Sequence, residues 1–339
     1  MEQGLTHSGP LCGSFHHATL VGMGLVGTSG AVNTLRQEII HYASARAPIL
    51  LEGETGTGKE VVARALHYLS NNNDQPFLPI NCGGLVDSLF EKEFFGSEKG
   101  AFTDARSRHP GYVEQAGRGT LFLDEVNSLG QKAQSSLLRF LQDQQYRAVG
   151  GRETRTAKVR LLAASNQSLE ALSEDGCFRG DLMYRLNVLK ITLPTLRERS
   201  EDIPILLERH LQQLNELYGR HKELSPTAIE WSRDQLWPGN IRQLNSWLHR
   251  RYLKTTGSVI FPNATTQAPE KPINGPVAMT EFQVAKQQAV HNFERSYLSK
   301  VLKICRGNIS RAARMAGKER RCFGRLLKKH GLQPAHYKC

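Results

Sequence analysis

Gly53-Glu54-Thr55-Gly56-Thr57-Gly58-Lys59 is the stretch on which the fold turns. An apolar run, Pro48-Ile-Leu-Leu51, precedes it, and apolar residues at helical spacing follow over residues 60–69. A glycine-rich loop between strand and helix lets successive backbone N–H groups turn inward as a nest for phosphate oxygens. The helix behind the loop presents its positive end to the same anion. Lys59 is then placed to reach the β- and γ-phosphates of a nucleotide. Glu60 follows it, so the hydroxyl that commonly holds magnesium at that position is absent.

Further along, Leu121-Phe-Leu-Asp124-Glu125 is an apolar strand ending in two carboxylates. Beside a phosphate loop, that pair predicts nucleotide hydrolysis. Asp124 is expected to bind Mg2+, directly or through water, and Glu125 to orient and polarise the attacking water. Residues 77–80, 159–163 and 188–193 read as further strands, and residues 131–141 as another helix. Alternation of this kind over residues 23–194 predicts an α/β fold, a parallel sheet with helices on both faces. Gly22-Met-Gly-Leu-Val-Gly27 also fits the G-x-G-x-x-G pattern. A dinucleotide site needs a strand before it and an acid about 20 residues on. No clear strand precedes Gly22 and residues 42–47 hold no acid, so that reading is set aside.

The chain has 339 residues, enough for two domains and a small third. Residues 1–22 read as a short irregular segment, too short for a regulatory domain. Residues 195–254 read as helical only. Residues 255–280, with Pro262, Pro269, Pro272 and Pro276, read as a linker, and residues 281–339 as a further helical domain. No apolar run approaches the ~18 residues of a membrane span, and the N-terminus lacks a signal pattern. Six scattered cysteines without a C-x-x-C pair argue against zinc or disulfides and fit a reducing cytoplasm.

Charge is unevenly spread. Residues 301–339 carry eleven Lys or Arg against one acid, so ten of the net twelve positive charges fall there. Such a tail on a near-neutral body points to a polyanion partner. Residues 307–317 and 318–330 read as helix, tight turn, helix. Ile309, Ala312, Ala313, Met315, Phe323, Leu326 and Leu327 are expected to face inward, with Gly317 at the turn and Ser310 as the helix cap. Arg320, Arg321, Arg325, Lys328 and Lys329 are left for double-stranded DNA.

With these residues in place, the chain resembles a sigma-54-dependent transcriptional activator, the bacterial enhancer-binding branch of the AAA+ ATPases, over about residues 26–332. The specific signature is Gly100-Ala-Phe102-Thr103-Asp104-Ala105. The family's usual hexapeptide has glycine where this chain has Asp104, a change that removes φ freedom and adds negative charge. The resemblance implies that Phe102 and Thr103 contact sigma-54. It implies that Asn81 senses nucleotide and repositions Glu125, and that Ser165-Asn166 lies near the γ-phosphate. By the same likeness Arg242 touches bound nucleotide, and Arg179 and Arg185 reach a neighbouring subunit's nucleotide. Glu60 belongs to the family's own form of the phosphate loop. Arg197 and Arg199 are expected to be structural ion-pair residues.

The fold implied is an AAA+ P-loop NTPase with a helical lid and a Fis-type C-terminal helix-turn-helix. The function implied is ATP hydrolysis with Mg2+ in a ring, six subunits in the family. The ring would bind upstream DNA through dimeric heads and remodel the closed complex of sigma-54 RNA polymerase. A second reading, favoured by Asp104, is a DNA-binding regulator whose AAA+ domain serves ligand response or assembly without that remodelling. An unrelated helicase or unfoldase leaves the hexapeptide and the basic tail without a purpose. Control is expected from expression level or from a separate protein acting in trans.

Overall fold

The structure, a computed structural model, describes residues 19–101, 107–262, 294, 298, 301–302, 305, 308–318 and 320–330; for Arg321, Cys322 and Lys328 it describes the backbone alone. The chain divides into two compact units, Met1–Ala264 and Thr265–Cys339.

In the first unit, helix α1 (Gly30–Tyr42) leads to β1 (Ile49–Glu52), and α2 (Lys59–Tyr68) follows the phosphate loop. Next come β2 (Phe77–Asn81), α3 (Phe90–Phe95), α4 (Tyr112–Ala116) and β3 (Thr120–Asp124). Then follow α5 (Gln131–Asp143), β4 (Arg160–Ser165), α6 (Leu169–Glu174), α7 (Gly180–Leu186) and β5 (Leu189–Thr192). The five strands form one parallel sheet in the order β2-β3-β4-β1-β5. Each central strand is apolar between its end residues because both of its faces are covered. Period-two alternation sorts the side chains. Leu121, Leu123, Leu161 and Ala163 join the core under α3, α5 and α7. Phe122, Leu162, Ile49 and Leu51 join the core under α1 and α2. The chain leaves β1 for the far edge at β2 and later returns to β5 on the other side of β1. That reversal opens a crevice at the carboxyl ends of β1 and β4.

The strands expected from the sequence are present with shifts of a residue or so. One expectation fails nearby. Residues 19–22, the described part of a segment read as irregular, are helical, and Leu20 is fully buried in the core of α1 and α2. Four residues are too few to show a helical period.

A 3-10 turn (Leu196–Asp202) then leads into the lid: α8 (Ile203–Tyr218), α9 (Pro226–Arg233) and α10 (Asn240–Lys254). Its core holds Leu207, Trp237, Leu248 and Tyr252, with Trp231 stacked on Trp247 at 5.1 Å between centroids. The lid is not wholly helical. Glu223–Leu224 pairs in parallel with Val259–Ile260, and Ile260 is fully buried. The stretch read as linker therefore begins as part of the lid, and residues 263–280 lie outside the described residues.

In the second unit, α11 (Ile309–Met315) and α12 (Arg320–Lys329) pack around Leu302, Ala312, Ala313, Phe323 and Leu327. Gly317 takes φ +61° at the turn, and Lys318 N–H reaches back to Ala313 O at 3.0 Å, closing the first helix. Two details differ from expectation. The cap is Asn308, whose Oδ1 accepts from Arg311 N at 3.1 Å, because Ser310 already lies inside the helix. Met315 is exposed, since Ala312 and Ala313 already fill the inward stripe.

Candidate nucleotide site

Two loop glycines need their freedom. Gly56 and Gly58 take φ +81° and +106°, and a Cβ on Gly56 would stand 2.3 Å from Gly239 O. The turn they allow carries Lys59 Nζ back over the loop, where it donates to Gly53 O at 2.6 Å and Glu54 O at 3.2 Å. Burial pulls the Lys59 ammonium down, opposed by the charges of Asp124 and Glu125.

Asp124 ends β3 opposite Asn81 at the end of β2. Burial pushes the Asp124 carboxyl up, while the Glu125 backbone N–H, donating at 3.0 Å, and Lys59 hold it down. Glu125 sits in the left-handed region, φ 55° and ψ 44°. Its carboxylate and the Asn81 amide both face Gly83. A Cβ there would stand 2.8 Å from Glu125 Oε2 and 3.2 Å from Asn81 Oδ1. Burial, with Asp124 and Glu125 adding to it, pushes the Cys82 thiol up to about 12, so it stays protonated and inert.

Lys59, Asp124 and Glu125 border a cavity of about 550 Å3, and Asn81 is not among its lining residues. Thr55, Gly56, Thr57, Gly58, Lys59 and Glu60 line it, with Asp124, Glu125, Asn166 and Arg242. Asn166 Oδ1 is buried there without a hydrogen-bond partner. Ser165, its neighbour, is fully buried, and its hydroxyl is bound to Gln167 O at 2.6 Å. Glu60 pairs along the helix with Arg64 at 2.7 Å.

The far end of the cavity was not foreseen. Gly24, Leu25 and Val26 form one wall and Leu206, His210 and Ile241 of the lid another. The glycine pattern set aside as a dinucleotide loop thus lines the cavity. Its position is fixed from both sides. Buried Asp202 accepts from Thr28 N at 2.6 Å and from Ser29 N and Oγ at 2.9 and 2.6 Å. Arg36 donates to Leu25 O and Gly27 O, both at 2.8 Å.

The lid also holds the back of the phosphate loop. Neither Gly53 nor Glu54 lines the cavity. The Glu54 carboxylate, expected among the nucleotide contacts, turns to the lid because Arg197 (2.5 and 3.0 Å) and Asn240 Nδ2 (3.1 Å) bind it there. The Arg197 hydrogen bonds hold that carboxyl below its usual range. Asn240 Nδ2 reaches Thr55 O at 3.1 Å as well, and Asn240 Oδ1 accepts from Leu196 N at 2.8 Å. Ile241 N donates to Gly56 O at 3.0 Å and Arg199 to Thr57 O at 3.2 Å. The ion pair expected of Arg197 is present. Arg199 is buried and serves the loop carbonyl instead.

Other expected residues lie elsewhere. Arg179, just before α7, is half-buried and Arg185, in its last turn, is exposed; neither lines the cavity, and Arg179 pairs with Asp181 at 2.8 Å. Phe102, Thr103 and Asp104 lie outside the described residues. Their segment is carried between Gly96–Ser97 and His109–Pro110, a short antiparallel pair. In the second unit Arg320, Arg325 and Lys329 are exposed, and Lys329 lies 3.2 Å from Glu294. The side chains of Arg321 and Lys328 lie outside the described residues.

A phosphate loop after β1, an acid pair ending β3 with β4 inserted between the two strands, and a helical lid braced on the loop define an AAA+ P-loop NTPase. The Sigma-54 interaction domain family matches residues 25–192, and the AAA+ ATPase lid domain matches residues 197–269. The chain is 36% identical over 311 residues to Regulatory protein AtoC of Escherichia coli (strain K12), covering 91% of this chain and 68% of that protein. It is 39% identical over 300 residues to Transcriptional regulatory protein GlrR of the same organism, covering 87% and 65%. The crystal structure of NtrX from Brucella abortus in complex with ADP superposes with a TM-score of 0.69 at 34% identity, covering 95% and 73%. The chain thus spans roughly two thirds to three quarters of these relatives. It belongs to the family of sigma-54-dependent transcriptional regulators. No helix among the described residues is long and apolar enough to cross a membrane.

Proposed function

We propose that the protein is a cytoplasmic, ATP-hydrolysing activator that opens promoters held by sigma-54 RNA polymerase. The observation that carries this is the convergence of Lys59, Asp124, Glu125 and Arg242 on one cavity at the end of β1. ATP would lay its phosphates on the loop and its base in the slot between Leu25, Val26, Leu206 and Ile241. Among the described residues no cluster of three or more metal-ligating side chains exists. That suits Mg2+, which takes one or two carboxylates plus phosphate oxygens. Asp124, a carboxylate lifted by burial, is the fitting ligand. The ion would supply neutralisation of phosphate charge.

The remaining roles belong to the chain. Lys59 leaves its loop carbonyls for phosphate oxygens. Glu125 orients the attacking water, and Asn81, across Gly83, sets its position. Arg242 binds from the lid. Arg179 and Arg185, neither of them lining their own cavity, enter a neighbour's site in a ring of six, where a guanidinium meets the charge developing on the γ-phosphate. Phe102 and Thr103 engage sigma-54. The second unit reads upstream duplex as a dimer, with Arg320, Arg321 and Arg325 towards base edges and Lys328 and Lys329 on phosphates. A trans-acting protein on the ATPase domain is the proposed control. Asp104 favours one other reading, a DNA-binding regulator without remodelling.

The test is open-complex formation at a sigma-54 promoter from purified components. The full chain is compared with one ending after Pro262, which keeps the Val259–Ile260 pair. Opening that needs hydrolysable ATP is expected, with the shortened chain active only at higher concentration. ATP turnover without opening by either chain would overturn the reading. Asp104→Gly would then show whether the loop is the reason.

A further inference from the structure

At the opposite edge of the sheet, where the strands begin, lies a second cavity of about 750 Å3. Four cations line it: Arg46 before β1, Arg118 before β3, and Lys158 and Arg160 at the entry to β4. Asp74 is the one acid among the lining residues, and Ser, Asn and Gln side chains make up much of the rest. Several cations elsewhere in this unit have carboxylate partners, as in Arg64–Glu60, Arg155–Glu114, Lys190–Glu52 and Arg197–Glu54. Among the described residues none of the four cavity cations has one.

Arg160 is the informative member. It is only 7% exposed. Its terminal nitrogens donate to Leu66 O at 2.8 Å and Tyr42 O at 2.9 Å, carbonyls near the ends of α2 and α1. Its Nε is buried with no hydrogen-bond partner. Burial pulls the guanidinium down to about 10, with no carboxylate acting to restore it. Two helix-end carbonyls offset part of that charge. A buried cation with no countercharge still carries a desolvation cost that an anion would relieve.

We propose that this cavity binds a small anion bearing at least two phosphates. Planar guanidiniums pair with phosphate in bidentate fashion, and three further cations around one opening favour multiple charge. The volume suits a nucleotide-sized molecule rather than a single ion. Its walls are loops entering several strands, so the recess is concave, unlike a flat protein-docking face. The cavity lies past the end of α2 and at the start of β4, and the opposite ends of these elements reach the nucleotide site at Lys59 and next to Asn166. A ligand here is an effector of that site, not its substrate.

The experiment is calorimetric titration of inorganic pyrophosphate into the full chain saturated with ADP. Three proteins are compared: the unaltered chain, Lys59→Ala, and a double variant, Arg118→Gln with Lys158→Gln. Both of the latter positions are exposed, so the fold is kept, and Arg160 stays to hold its two helix ends. The basic tail contributes equally to all three. Saturable binding is expected in the unaltered chain and in Lys59→Ala, with affinity at least tenfold weaker in the double variant. Absence of binding would overturn the proposal. So would binding lost in Lys59→Ala yet untouched in the double variant, which would place pyrophosphate on the phosphate loop. Capture of polyglutamate without pyrophosphate would assign the recess to an acidic polypeptide and overturn it too.

Discussion

Two groups of arginines in the first unit behave in opposite ways. Arg197, Arg199 and Arg242 come from the lid side and converge on the phosphate loop and its cavity. Arg179 and Arg185, at the two ends of α7, do not line that cavity. The difference separates two tasks. One chain assembles the surface that would hold a nucleotide, while in the proposed ring the charge needed at the moment of hydrolysis would come from another copy. Binding and turnover should therefore fail independently.

Arg185→Ala tests the outward group and carries the largest effect. ATP turnover is expected to fall by about 10^3, the scale of an arginine acting in trans, while ATP affinity measured on single chains stays within about twofold. Mixing in Lys59→Ala protein should return part of the turnover, because some Arg185→Ala sites then meet an intact neighbour. Equal losses in affinity and turnover would break the comparison.

Asn240→Ala tests the inward group. It removes the bonds to Glu54, Thr55 and Leu196 and places alanine at φ 48°. ATP affinity should weaken by about tenfold, the worth of one to two kcal/mol in lost buried hydrogen bonds. Asn240→Gly relieves the backbone strain alone. If it restores binding, conformation rather than hydrogen bonding makes the brace.

The smallest effect lies beside α7. Glu170 accepts from Asn187 Nδ2 at 2.9 Å and Lys190 Nζ at 3.1 Å. Its carboxyl is held down to about 2 from 4.5, chiefly by a backbone N–H, then by the Ser168 hydroxyl and Lys190. A depressed carboxyl contributes stability fully above its unfolded value and loses it as pH falls through the folded one. Glu170→Gln should lower Tm by about 1–2 °C at neutral pH, a partly exposed site being screened. The difference should shrink between pH 4.5 and about 2. A pH-independent difference would show that packing, not charge, ties α6 to β5.

The sheet was readable because its strands are buried on both faces, so each appears as an unbroken apolar run such as Leu121-Phe-Leu. The loop, Lys59 and the acid pair were readable because phosphate chemistry leaves few residue types to choose from. Arg179 and Arg185 carried no signal of their own; only the family likeness singled them out. Leu25, Val26 and Leu206 look in sequence like any core residue. The turn of Glu54 to the lid depends on Arg197 and Asn240, far along the chain. The second cavity gathers residues 46, 118, 158 and 160, which only the strand order brings together.

Glu125 occupies a backbone conformation that costs a side-chain-bearing residue about 1–2 kcal/mol and glycine almost nothing. Drift towards glycine at this position would make the protein sturdier and leave its cavity without the carboxylate proposed to orient water. Selection for fold alone would accept that exchange. A glutamate persisting here among sequences that diverge elsewhere would therefore record selection for turnover, and a glycine would mark a lineage that kept the scaffold and gave up the reaction.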